Sequence, residues 1–250
     1  MMFTALAGLP TIQAGDDLGA MLADAMRGND IAAADGDVLV VAQKIVSKAE
    51  DRMVWLRDVT PGSRALTLAA EAGKDPRVVE LILRESAKVV RCRPGVIIVE
   101  HRLGMVMANA GIDASNVEGE TDETVLLLPE DPDRSAAGLR RALQQQLGRD
   151  IGVVINDSFG RAWRNGTIGT AIGVSGPPAL WDMRGIADRN GRALRHTEVA
   201  IADELAAAAS LLMGQAAEGL PAVHVRGFPL SFRSGDAREL LRDKAYDLFR

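Results

Sequence analysis

The stretch "DGDVLVVAQKIV" sets five consecutive apolar residues, Val38 to Ala42, between a turn and a polar segment with two lysines beyond. A run without polar alternation reads as a strand covered on both faces, so its sheet must carry layers on each side. "IGVVIND", from Ile151 to Asp157, repeats that pattern, and "TVLLLP" and "PAVHVRG" are further strand candidates. Helix-spaced segments lie between them. In "DLGAMLADAMRG", preceded by Asp16, the residues Leu18, Met21, Leu22, Ala25 and Met26 recur at helical intervals and Gly28 supplies a stop. A helix is expected over about Arg64 to Ala72, and Asp75-Pro76 opens "RVVELILRESAKVV" as another, with Cys92 continuing its pattern. "GVIIVEHRLGMVMANAG" reads as two strands around a turn near Arg102 to Gly104, and "SAAGLRRALQQQLG" as an amphipathic helix closed by Gly148. Arg184 to Arg195 reads as a polar hairpin, "HTEVAIADELAAAASLLMGQ" as a helix of about five turns, and the last fifteen residues as a final helix. This alternation specifies an α/β or mixed α+β fold. No internal repeat or clear linker divides the chain; "LPEDPDRSAA", near 129–135, is the candidate for a boundary between two subdomains.

With 47% hydrophobic residues in 250, the chain can bury a sizeable core. Charged residues are interspersed and the net charge is -5, which argues against general binding to nucleic acid or a membrane surface while leaving room for a local basic pocket. The lone Cys92 excludes an internal disulfide and a zinc-cysteine cluster. The N-terminus lacks a basic segment followed by a long apolar core, and no apolar run approaches the roughly 18 residues of a membrane helix. A soluble, cytoplasmic protein is the expectation.

Two places combine carboxylates with strand ends: "NAGIDASNVEGE", from Asn109, and Asn156-Asp157-Ser158. Side chains at the carboxyl ends of apolar strands emerge where open α/β folds bind ligands. Asp113, Asn116, Asp157 and Ser158 offer hard oxygen ligands suited to magnesium or manganese, or else they cap helices and make turns. After Asp157 the chain enters a glycine-rich loop and then a further strand candidate, "TAIGVSG"; glycines 160, 166, 169, 173 and 176 in this stretch allow close backbone approach and positive φ. Arg161 and Arg164 supply forked cations there for phosphate or carboxylate, or lie in solvent. Lys44 and Lys48, if the strand ran on through Val46, would share one face and grip a polyphosphate, or form a solvated edge. The phosphate-loop pattern G-x-x-x-x-G-K-[ST] and the dinucleotide pattern G-x-G-x-x-G are both absent, which disfavours P-loop and Rossmann folds. His101, His196 and His224 lack metal-ligand spacing, and His224 reads as a strand-face residue. Trp55, Trp163 and Trp181 are too dispersed for a base-stacking platform.

Taken in order, "GLPTIQAGDDL", "IVSKAE", "ANAGIDASNV", "LLPEDPD", "INDSFGRAWRNG", "HTEVAIADELAAAA" and "AVHVRG" resemble the coenzyme F-420-0:L-glutamate ligase family, from Leu9 to Gly227. The resemblance implies a single ligase domain over 1–250 with a family-specific fold of mixed sheets and flanking helices. Some relatives carry a fused C-terminal reductase-like domain, which is not expected here. It also implies a GTP-dependent gamma-glutamyl ligase that adds L-glutamate to coenzyme F-420-0, a lactyl phosphodiester deazaflavin precursor, through an acyl phosphate. Two divalent ions, Mg or Mn, a monovalent cation such as K, and a homodimer are implied with it. Carried across by motif, Asp113 and Asp157 hold a divalent ion, and Ser158 and Gln215 serve a second. Leu9, Pro10, Thr11, Ile12, Gln43, Lys44, Lys48 and Asn116 contact GTP. Relatives often have a small hydroxyl residue in place of Gln43, and they differ near Gln215. Arg161 and Arg164 join the two aspartates as catalytic candidates that offset accumulating charge. Two other classes stay open: an amide ligase for another acidic acceptor, and a non-catalytic nucleotide-binding protein.

Overall fold

The computed structural model describes residues 1–113 and 123–247. In chain order the elements are β1 (Met2–Ala5), α1 (Leu18–Gly28), β2 (Val38–Ala42), α2 (Gln43–Ala49), β3 (Met53–Trp55), α3 (Ser63–Ala72), α4 (Pro76–Arg84), β4 (Ser86–Arg93), β5 (Val96–His101), β6 (Val106–Ala108), β7 (Thr124–Leu126), α5 (Pro132–Leu147), β8 (Gly152–Arg161), β9 (Arg164–Ser175), β10 (Trp181–Asp182), β11 (Glu198–Val199), α6 (Ile201–Met213) and β12 (Ala222–Arg226). The fold is mixed α+β. Its main sheet has the order β1-β12-β2-β8-β9, with β2 parallel to β8 and the other pairs antiparallel. Residues 129–135 carry the chain from β7 into the first turn of α5.

The apolar runs behave as their composition dictates. Leu39 and Val41 of β2, with Val153 and Ile155 of β8, face a core shared with α1 and α5. Val38, Val40 and Val154 face the opposite way, onto Leu205, Ala206 and Ala209 of α6. Burying each Val or Leu contributes about 1.5–3 kcal/mol, so the two central strands form a stiff base for whatever their ends carry. Residues 53–126 bring smaller cores of their own, between α3, α4 and β5 and between β3, α4 and β7.

β9 lies at the sheet edge, where unpaired backbone groups invite pairing with another chain. Two carboxylates occupy part of that edge: Asp203 Oδ1 accepts from Ala171 N and Asp133 Oδ1 from Val174 N, both at 2.9 Å. Burial raises the pKa of both groups, and the donated N–H bonds oppose the rise. The helices reach this edge because Gly169 and Gly173 leave no side chain in the way. A Cβ on Gly169 would stand 2.4 Å from Ala206 O, and one on Gly173 2.3 Å from Pro132 O.

Five sequence expectations need correction. α4 stops at Arg84, where Ser86 Oγ donates to Ile82 O at 2.5 Å, and the following segment, Cys92 included, is strand β4. The apolar β5 needs a partner, and pairing with it overrides the helical spacing of the segment before it. The lysine segment is helix α2, so Lys44 and Lys48 share a face through i,i+4 spacing and not through strand alternation. The glycine-rich loop is a hairpin: β8 and β9 stay paired out to Arg161 and Arg164, with Trp163 at φ 58 in the turn. Beyond β12 the described chain makes only two single 3-10 turns, at Ala237–Leu240 and Lys244–Tyr246, each capped by an aspartate. The expected 196–215 helix spans only Ile201–Met213, since Glu198 and Val199 pair with β10 and the helix stops at Gly214.

Candidate functional site

β2 and β8 run parallel, and their pairing ends with Ala42 opposite Asn156, where β2 stops and β8 runs on into the hairpin. The next residues of both strands therefore reach one lip of the sheet. From β2 the chain turns straight into α2, which presents Lys44 and Lys48; from β8 come Asp157 and Ser158. A cavity of about 390 Å³ opens there. Its walls include Leu9, Pro10, Thr11 and Ile12, then Gln43, Lys44 and Lys48, then Asn156, Asp157 and Ser158, and finally Ser210, Met213 to Ala216 and Gly219 to Pro221. Ten residues singled out from the sequence thus meet in one place.

The charged end of the cavity is tightly coupled. Lys44 Nζ lies 2.6 Å from Asp113 Oδ2. The backbone of Asp113 is fixed to β7 by two bonds with Leu126, at 3.0 and 2.8 Å. Burial raises the Asp157 carboxyl to about 6; the Ser158 N–H, 2.8 Å away, draws it down, the charge of Asp113 pushes it up, and Lys44 lowers it. Two carboxylates close enough to resist each other's ionisation, with one lysine between them, are an arrangement that a cation would relieve. Across β8 the donors are neutral. Ser158 Oγ donates to Gln215 Oε1 at 2.9 Å, and Gln215 Nε2 donates to Ser210 Oγ at 3.1 Å.

These groups fit a magnesium-type ion. Mg²⁺ takes one or two protein carboxylates and completes its shell with water and phosphate oxygens. Asp113 and Asp157 supply two carboxylates, and Ser158 and Gln215 add neutral oxygen. Among the described residues no three His, Cys, Asp or Glu side chains cluster as a closed metal cage.

Other sequence candidates lie elsewhere. Asn116 falls outside the described residues. Arg161 and Arg164 stand on the exposed hairpin tip, with Arg161 Nη1 donating to Gly166 O at 3.4 Å, and neither borders the cavity. His224 is a buried strand residue, its Nε2 2.9 Å from Asp37 Oδ2. The sequence reading placed Asn156 at the candidate strand end without giving it a role, and it missed Ser210 and most of the wall from Met213 to Pro221. Gly214 and Gly219, which the sequence reading did not single out, both adopt positive φ in that wall. It also missed the Lys44–Asp113 ion pair, which joins residues distant in sequence.

A larger cavity, of about 450 Å³, lies by the β9 edge between Arg102, Phe159, Thr170, Asp203 and Arg238. None of the site residues proposed from the sequence lines it, and its carboxylates Asp133 and Asp203 are committed to the backbone of β9.

No helix among the described residues is long and apolar enough to cross a membrane. The profile of the F420-0:Gamma-glutamyl ligase family matches residues 8–227, which takes in every element bordering the cavity. The chain is similar to the coenzyme F420:L-glutamate ligase of Methanothermobacter thermautotrophicus, at 46% identity over 97% of this chain and 96% of the relative. It is equally similar to that of Methanopyrus kandleri, at 46% over 98% and 100%. The ligase of Archaeoglobus fulgidus is 43% identical over 97% and 94%. The chain therefore belongs to the F420-0:gamma-glutamyl ligase family of enzymes.

Proposed function

We propose that this enzyme joins L-glutamate to coenzyme F-420-0 through a gamma-glutamyl-type amide, using GTP and releasing GDP and phosphate. The observation that carries the proposal is the convergence of Asp113, Asp157, Lys44 and Lys48 at one end of a cavity whose other walls are uncharged. A triphosphate suits the charged end, and a nucleoside suits the rest.

The chemistry explains the need for activation. A carboxylate cannot form an amide at neutral pH without a better leaving group than oxide. A carboxylate oxygen of the precursor attacks the GTP γ-phosphorus, the bond from that phosphorus to the β,γ-bridging oxygen breaks, and GDP leaves. The glutamate amine then attacks the acyl carbon, phosphate departs with the transferred oxygen, and the amine gives up a proton. Asp113 and Asp157, and Ser158 with Gln215, would hold divalent ions, whose charge would offset that of the phosphates while two anions approach each other.

The protein's own residues have separable roles in this scheme. Lys44, oriented by Asp113, and Lys48 one turn on give fixed positive charge along the triphosphate. Leu9 to Ile12 and Gln43 enclose the nucleoside, with Ser47 Oγ holding Gln43 Oε1 at 2.9 Å. Arg161 and Arg164 act at the hairpin tip, where Trp163 is 79% exposed, and a second copy of the chain brings that surface into a homodimer.

Incubation with GTP, Mg²⁺, glutamate and the precursor tests the proposal. The expected outcome is a product heavier by at least one glutamyl residue, with GDP formed in step. GDP release without a heavier product would assign the enzyme to another acceptor.

A further inference from the structure

One polar group in the cavity wall has no part in the scheme above. Asn156, at the last β2-paired position of β8, is only 5% exposed. Its amide nitrogen lies 3.5 Å from Met213 Sδ, and a thioether is a weak acceptor. Its Oδ1 has no hydrogen-bond partner among the described residues. Leaving a buried acceptor unmade is unfavourable, so the unliganded protein is less stable for holding it there.

We propose that Asn156 Oδ1 accepts a hydrogen bond from the nucleoside part of the bound nucleotide, from a sugar hydroxyl or the base amino group. This assignment rests on the nucleotide reading of the cavity. The chemistry of the atom selects its partner. A carbonyl oxygen needs a donor, and ionised phosphate oxygens are acceptors, so the triphosphate does not satisfy it. Position agrees with chemistry. Successive strand residues point to opposite faces, so Asn156 turns toward Met213 of α6 and Asp157 toward Lys44 and Asp113. The charged side chains Lys44, Asp113 and Asp157 thus lie on one side of β8, and Asn156 lies on the other, against the neutral wall that Ser158 and Gln215 also face.

Asn156→Leu tests this in the 250-residue chain, because leucine keeps the branched shape and number of heavy atoms and removes the unpaired carbonyl. The variant is expected to melt at or above the wild-type temperature without ligand and to bind Mg·GTP about tenfold more weakly by calorimetry. Binding of 2′-deoxy-GTP, 3′-deoxy-GTP and inosine triphosphate then identifies the donor. The analogue lacking it binds wild type more weakly than GTP does, yet costs the variant nothing further. A variant that melts several degrees lower assigns Asn156 a structural role and overturns the proposal. So does undiminished GTP affinity, or an equal loss for all three analogues in both proteins. If wild type fails to bind Mg·GTP, the nucleotide reading falls and takes this assignment with it; if only the variant's behaviour departs, the reading stands without it.

Discussion

Replacing Asp157 by Asn should make the metal-free protein more stable while removing its activity. In the folded protein burial is the largest influence on this carboxyl, raising it from 3.8 to about 6, with the charge of Asp113 adding to the rise against Ser158 N–H and Lys44. A rise of about two units, at roughly 1.4 kcal/mol each, puts the ceiling on the penalty for ionised Asp157 at about 3 kcal/mol. Water at the cavity mouth screens part of it, leaving a gain of about 1–3 kcal/mol for the neutral amide. Asn keeps an oxygen to accept from Ser158 N. For a chain of this length such a gain raises the melting temperature by roughly 3–9 °C. The assay is calorimetric melting with a chelator at pH 7.5, with ligation measured separately. The sign follows from the raised pKa: the penalty is full above 6 and fades as the pH falls toward 3.8, so the two proteins converge in acid. A variant no more stable than wild type at pH 7.5 would refute the argument that burial strains this carboxylate. Stability gained at the expense of activity is the mark of a group held in place for a ligand.

Three further outcomes follow from other parts of the molecule. Burial raises the Glu85 carboxyl, but His101, Arg102 and Arg52 outweigh it and hold the group at about 2, against 4.5 ordinarily. Its stabilisation is complete above pH 4.5 and lost as the pH falls through 2, so Glu85→Gln should cost about 2–3 kcal/mol at pH 7, and denaturant titrations of variant and wild type should draw together near pH 2. Gly169→Ala drives a methyl to 2.4 Å from Ala206 O and must displace α6, which carries Ser210 and Met213; a loss of about 1–3 kcal/mol in melting is expected, with weaker nucleotide binding. Lys48→Ala removes one cation from the cavity and should raise KM for GTP roughly tenfold with little change in KM for glutamate, read from initial rates.

Where hydrophobic periodicity had one solution, the sequence was legible. β2 and the first half of β8 are apolar on both faces, and Asp131 and Gly148 bracket α5 at the positions their capping chemistry prefers. Legibility failed where tertiary pairing decided the outcome. Nothing local ends α4 at Arg84, since neither Gly nor Pro follows; β4 forms because β5 requires a neighbour. The hairpin beyond Asp157 looked like a loop because its glycines were read as turn residues. Only Gly166 and Gly176 adopt positive φ, while Gly169 and Gly173 admit helices, a role that needs the third dimension. At the site, side chains bearing charge were visible at once. The neutral wall from Met213 to Pro221 was not, because much of what it contributes is backbone. Lys44 was placed on the correct face for the wrong reason, since helical and strand spacing both bring residues 44 and 48 together. Asn156 was named at the strand end but received no role, because its missing partner is a property of the folded cavity.

The acyl-phosphate route makes one prediction that no other phosphate-releasing route shares. With both carboxylate oxygens of the precursor labelled with oxygen-18, and GTP, Mg²⁺ and glutamate unlabelled, the phosphate released during ligation should carry one heavy oxygen, shown by its phosphorus resonance and mass. The amide product should retain the other. Unlabelled phosphate alongside a normally formed amide would contradict direct attack of the precursor on GTP, and with it the roles assigned to Asp113, Asp157, Lys44 and Lys48.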